Sequence, residues 1–140
     1  MATKTMTEMW ALLDVYTLTA NGSERDVNPQ NEWGGCSKRL GMPVFTGWKD
    51  MTEYNKAAKT SKALVCDTDW GRAIGVNNQE RWLTFAENSE SGLSAFFVIH
   101  AVDEQAELRK VRYVGDDRVF VGTVVRDGTR AYVVGQSRPL

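Results

Sequence analysis

Several common sources of function are scarce in this chain. Cys36 and Cys66, two cysteines in 140 residues, are too few for a disulfide framework and show no metal-ligand spacing. His100 is the one histidine, so no multi-histidine metal site can form. Neither sign of charge dominates: 17 basic and 18 acidic side chains leave a formal charge of -1. That balance excludes an overall strongly basic nucleic-acid binder and an acidic nucleic-acid mimic. The longest uncharged apolar run, Leu93 to Val102, falls well short of the ~20 residues that span a bilayer. The N-terminus carries no signal-peptide pattern, because Met1 to Thr7 is polar and Asp14 and Thr17 interrupt the first apolar stretch. Asn21-Gly22-Ser23 therefore reads as a polar turn and not as a glycosylation site. The expectation is a soluble protein of a reduced, cytoplasmic compartment, with free thiols and no cofactor. Its small size suits a bacterial or phage gene product.

What is present fits one globular domain, residues 1–140. Hydrophobic residues at 42% and charged residues at 25% are ordinary values, and a chain of this length buries about two-thirds of its unfolded surface without staples. Thr5-Met6-Thr7-Glu8 is a capping box, and Met6, Met9, Trp10, Leu13 and Tyr16 follow at helical spacing. From Asp14 the residues turn β-favouring, so that helix ends early. Asp50-Met51-Thr52-Glu53 repeats the capping pattern and predicts a second helix from Asp50, with Tyr54, Ala57 and Ala58 on its apolar face. Between the two, residues 21–49 hold seven glycines and prolines and read as a long irregular loop. Trp33, Phe45 and Trp48 within it argue against disorder.

The rest reads as sheet. Ala63 to Cys66 is a short buried strand, and Arg81 to Ala86 alternates as a half-buried one. Leu93 to Val102 is apolar on both faces and therefore central. Glu107 to Val114, Arg118 to Arg126 and Thr129 to Gln136 follow, with turns at Gly115-Asp116-Asp117 and at Asp127-Gly128, a type I′ dipeptide. Pairing Arg126 with Thr129 sets Gly122 opposite Val133 and Phe120 opposite Gly135, and puts Val121, Thr123 and Val125 on one face with Tyr132 and Val134. The expected fold is thus α+β: an antiparallel β-meander of at least four strands, covered on one face by one or two N-terminal helices. A homodimer would pair through the terminal strand at Tyr132, Val133 and Val134.

Three groups of residues are candidates for function. In Ala63-Leu64-Val65-Cys66-Asp67-Thr68-Asp69 an apolar strand ends in two carboxylates spaced by one residue, which can aim both at a divalent metal and a phosphate. Over this stretch the chain resembles the first motif of haloacid-dehalogenase-type phosphatases. The resemblance implies Asp67 as nucleophile and Asp69 as acid/base on a parallel α/β sheet, and Trp70 stands where that family has a hydroxyl or small β-branched residue. The opposing reading is a strand entering an Asp-rich turn whose side chains cap the next element. Cys36, beside Gly35 and before Lys38 and Arg39, would be an activated thiol if it opened a helix, with His100 as partner base. Against it, nothing local ties the two together, His100 shares a strand face with Phe96 and Val98, and Cys66 reads as inert core.

Trp33, Trp48 and Trp70 fall in connections, where indoles either pin a loop or anchor a partner, while Trp10 and Trp82 fit core faces. Gly71-Arg72-Ala73-Ile74-Gly75 lacks the residues of a phosphate loop and reads as a turn, with Arg72 free to meet an anion. Lys110, Arg112, Arg118, Arg126 and Arg130 share the sheet with enough carboxylates to make a solvated mixed-charge face. The expected function is a binding or interaction protein that takes a protein or small-molecule ligand through Trp33, Trp48, Trp70 and Arg72. A small hydrolase using Asp67 and Asp69, or Cys36 and His100, is the alternative. A nucleic-acid-binding sheet ranks last, because the aromatic signature of such sheets is absent.

Overall fold

The computed structural model describes residues 5–28, 32–70, 73–103, 105, 111–114 and 118–139, with the backbone only at 73 and 111–113. The first helix, α1 (Met6–Leu13), forms as its capping box demands: Glu8 N–H donates to Thr5 Oγ1 at 3.1 Å and Thr5 N–H to Glu8 Oε1 at 3.0 Å. Asp14 stops it by entering the left-handed region at φ 52°, a conformation that Asp tolerates better than most residues.

Ten strands follow among the described residues: β1 (Val15–Leu18), β2 (Glu24–Asp26), β3 (Gly34–Ser37), β4 (Met42–Trp48), β5 (Thr52–Asn55), β6 (Thr60–Asp67), β7 (Leu93–Ala101), β8 (Val111–Val114), β9 (Arg118–Asp127) and β10 (Arg130–Pro139). A second helix, α2 (Ala73–Asn88), separates β6 from β7. The strands form one mixed sheet in the order β2-β1-β3-β4-β7-β9-β10-β6-β5, with β8 also on β7. Among the described residues the one parallel pair joins β4 to β7, from Val44 opposite Ala95 to Trp48 opposite Ile99.

The protein is therefore mostly sheet with two helices, and several expectations need correction. Residues 21–49 are not an irregular loop, since β2, β3 and β4 lie there. Their glycines serve close packing: a Cβ on Gly35 would stand 2.5 Å from the Tyr16 carbonyl oxygen. No helix begins at Asp50. A 3-10 turn, Lys49–Met51, leads into β5, because Glu53 and Tyr54 pair with Lys62 and Ser61 and three apolar residues make too narrow a face to hold a helix. Arg81 to Ala86 is helical, not strand: Val76, Gln79, Leu83 and Ala86 recur at helical spacing and all are buried, a period that six residues cannot reveal. Ile74 and Gly75 belong to that helix and not to a turn; Gly71 and Arg72 lie outside the described residues.

The meander is also different. β8 and β9 do not pair with each other but lie end to end along β7, with Ile99 opposite Val114 and Phe96 opposite Phe120. The expected turn at residues 115–117, and 107–110 of the expected third strand, lie outside the described residues. The β9–β10 hairpin turns at Gly128 and Thr129 and pairs Asp127 with Arg130, two residues off the expected register. An even slip preserves faces, so Val125 still shares one with Tyr132. It does set Gly122 opposite Gly135, where the backbones come so close that a side chain on either would collide with the other strand. β10 lies between β9 and β6, so its edge is already paired, and among the described residues the strand order ends on β2 and β5.

Each helix covers its own face. α1 packs Met6, Met9, Trp10 and Leu13 on Val44, Ala95, Phe97, Ile99 and Val119. α2 packs Val76, Trp82 and Leu83 on Phe45, Val65, Phe96, Ala131 and Val133. The sheet curls around α2 until β4 and β6 touch, with Gly47 against Ala63. Where the sheet opens, α2 bridges the gap with side-chain amides: Asn78 Nδ2 donates to Gly34 O at 2.7 Å on β3, and Gln79 Nε2 to Val65 O at 2.8 Å on β6. These bonds satisfy strand carbonyls that burial would otherwise leave costly.

Candidate functional site

Asp67 ends β6 as a turn-former. Its carboxylate accepts the Asp69 N–H at 2.9 Å and pairs with Arg130 at 3.3 Å, while Thr68 N–H donates to Thr129 O at 2.9 Å. The Asp69 N–H, with the Thr129 and Arg130 side chains, holds the Asp67 carboxyl below the usual carboxylate range against the upward pull of burial. Asp67 thus staples the β9–β10 turn to the start of the β6–α2 connection. Asp69 is exposed. Among the described residues no three His, Cys, Asp or Glu side chains gather as metal ligands. The sheet carrying the motif is mixed, with β6 antiparallel to both neighbours, whereas the phosphatase resemblance implies a parallel one.

Cys36 does not open a helix. It lies within β3, paired with Tyr16 and Pro43, and burial pushes its thiol up despite a contact with the Tyr16 hydroxyl. Burial likewise raises Tyr16 to about 12 and Cys66 to about 12. Extending the pairings through β4 puts Cys36 level with Ser94, so His100 lies about 20 Å further along β7 at ~3.3 Å per residue. The structure does not bring Cys36 and His100 together.

The three connection tryptophans divide between the two faces. Trp33 and Trp70 meet edge to face at 5.4 Å between centroids and rest on the α2 core; Trp48 rests on the α1 core. All three are half-buried, and Arg72 lies outside the described residues. No single surface unites the trio.

Among the described residues, a hollow lies elsewhere. Between β1 and the C-terminal half of α2, a groove of about 460 Å3 is lined by Tyr16, Leu18, Arg81, Trp82, Thr84, Phe85, Asn88 and Ser89. Its volume lies within the ~300–1,000 Å3 usual for small-molecule sites. Trp82 is its buried floor, edge to face with Tyr16 at 5.8 Å and with Phe85 at 5.4 Å. Phe85 is 51% exposed, a large ring left half in water at the groove. A polar chain fixes the floor: Trp82 Nε1 donates to Thr17 Oγ1 at 2.9 Å, and the Thr17 hydroxyl donates to Asn78 Oδ1 at 2.6 Å. Arg81 Nη1 donates to Leu18 O at 3.0 Å across the groove.

Beside the groove, Glu32 is 2% exposed and accepts Arg25 through both oxygens at 2.8 and 2.6 Å and Asn28 N–H at 2.8 Å. Burial alone would raise Glu32, but Arg25 and the Asn28 N–H outweigh it and hold the carboxyl below its ordinary value. On the opposite flank of α2, Arg126 of β9 grips both Glu80 at 3.0 Å and Glu87 at 2.7 Å. The groove is hidden in the sequence because Arg81 to Ala86 alternates like a strand, which sets Trp82 and Phe85 on opposite faces. Their i,i+3 spacing beside Arg81 was the available signal.

No family model, curated protein or solved structure matches this chain. Among the described residues no helix is long and apolar enough to cross a membrane.

Proposed function

We propose that this is a binding protein whose recognition site is the aromatic groove between β1 and α2. The observation that carries the reading is Phe85, a half-exposed ring at the mouth of a hollow floored by Trp82. Exposing a large ring costs folding free energy, since burial of an aromatic side chain stabilises by about 2 kcal/mol. A ligand covering Tyr16, Leu18 and Phe85 would recover that energy on binding. The groove also stands on a rigid base, because the Trp82-Thr17-Asn78 chain ties helix to sheet, and a site that is already ordered loses less entropy when it binds.

Trp33 and Trp70 pack against each other and against the same core as α2, and they do not line the groove. Trp48 belongs to the other face and has no part in it. The hydrolase alternative has less support: Asp67 is engaged by Asp69, Thr129 and Arg130, and the Cys36 thiol is shifted away from the reactive form.

A ligand-observed NMR screen with flat aromatic fragments tests the proposal on wild type and Phe85→Asp. Fragments that bind the wild type should lose their signal with the variant. Fragments that bind both proteins alike would contradict it.

A further inference from the structure

Resting on that reading, we infer that the groove's occupant is a small planar aromatic molecule carrying one negative charge, such as a ring-bound carboxylate. Three observations lead there. The first is the lining: of its eight residues, Arg81 is the one that carries a charge. Its hydrogen bond to Leu18 O sets the side chain across the groove, and a guanidinium has five N–H donors in a planar fork, more than one carbonyl consumes. Such a fork matches a carboxylate through two parallel bonds.

The second is that the neighbouring acids are committed elsewhere. The two carboxylates of α2, Glu80 and Glu87, both reach Arg126 on the far flank. Glu32, the acid whose ionisation Arg81 favours, is satisfied by Arg25 and the Asn28 N–H. Arg81 is the one charged side chain lining this apolar hollow, and these three acids are held by other partners.

The third is ring geometry. Tyr16 and Phe85 stand at 83° and 67° to the plane of Trp82, so three rings surround one small volume from different directions. A flat guest can meet these rings by stacking or edge contact, the two geometries that aromatic pairs prefer. Ser89 adds no competing donor, because its hydroxyl donates to Ala86 O at 2.8 Å and accepts Gly92 N–H at 3.1 Å.

Isothermal titration of the full chain with naphthalene-2-carboxylate and with its neutral counterpart, 2-naphthalenemethanol, separates this inference from the reading beneath it. The acid should bind about tenfold more tightly than the alcohol, the ratio expected of a charged hydrogen bond. Arg81→Gln should remove that difference, and Arg81→Lys should keep part of it. Arg81 is exposed, so these variants should keep the wild-type thermal transition, which the same samples report by circular dichroism. Equal affinities for acid and alcohol, or an Arg81→Gln protein that still prefers the acid, would overturn the anion inference and leave the groove reading standing. Binding of neither compound would overturn both.

Discussion

The Trp82 indole donates its N–H to the Thr17 hydroxyl at 2.9 Å, and this bond joins residues 65 positions apart, from α2 to β1. Thr17 is 0% exposed and passes the interaction on to Asn78, which in turn holds Gly34 O on β3. Thr17→Val keeps the shape and removes the hydroxyl, leaving the Trp82 Nε1 and Asn78 Oδ1 atoms without it. Two orphaned buried groups should cost about 3 kcal/mol of stability, read from urea unfolding. A loss under about 0.5 kcal/mol would mean that packing alone holds the helix.

The two rings of the groove should respond differently to truncation. Trp82 is 2% exposed, so Trp82→Ala should destabilise by about 3–5 kcal/mol. Phe85 is 51% exposed, so Phe85→Ser should cost less than about 1 kcal/mol, the range of surface changes. If Phe85→Ser costs as much as Trp82→Ala, Phe85 is a core residue and does not belong to a site.

Glu32 should tie stability to pH. Its carboxyl lies below its ordinary value in the folded protein. Its contribution is therefore present above the unfolded value of about 4.3 and is lost as pH falls through the folded one. At pH 7, Glu32→Gln should be about 2 kcal/mol less stable than wild type, the worth of charged hydrogen bonds. The gap should narrow below about pH 4 in thermal unfolding followed across pH. A gap constant down to pH 2 would contradict the assignment.

How much of this is legible in the sequence depends on how local each signal is. The capping box and its apolar stripe defined α1, and long apolar or alternating runs defined β7, β9 and β10. Each of those signals sits within one continuous segment. Residues 21–49 misled because Gly34 and Gly35 look like turn formers, whereas they are there for what approaches them, Gln79 and Tyr16 from distant parts of the chain. Likewise the hairpin turns at Gly128-Thr129, with Gly128 at positive φ in the first central position as a type II′ turn wants, and not at the Asp127-Gly128 dipeptide. The candidate site was legible only as an excess of tryptophan. Which indole faces a hollow is decided by α2, whose first turn is disguised by Gly75 and whose later residues imitate a strand.

Both thiols should be inert in the folded protein. Cys36 and Cys66 are buried and burial raises both, so a disulfide reagent at pH 8 should modify them only at the rate of unfolding. Either thiol reacting within seconds in native buffer would restore the nucleophile reading.

Backbone amide shifts on addition of naphthalene-2-carboxylate test the central claim most directly. The account predicts that the largest changes fall at residues 16–18 and 81–89 and saturate with one site. Changes centred on the β6–α2 connection, or scattered over both faces of the sheet, would contradict it.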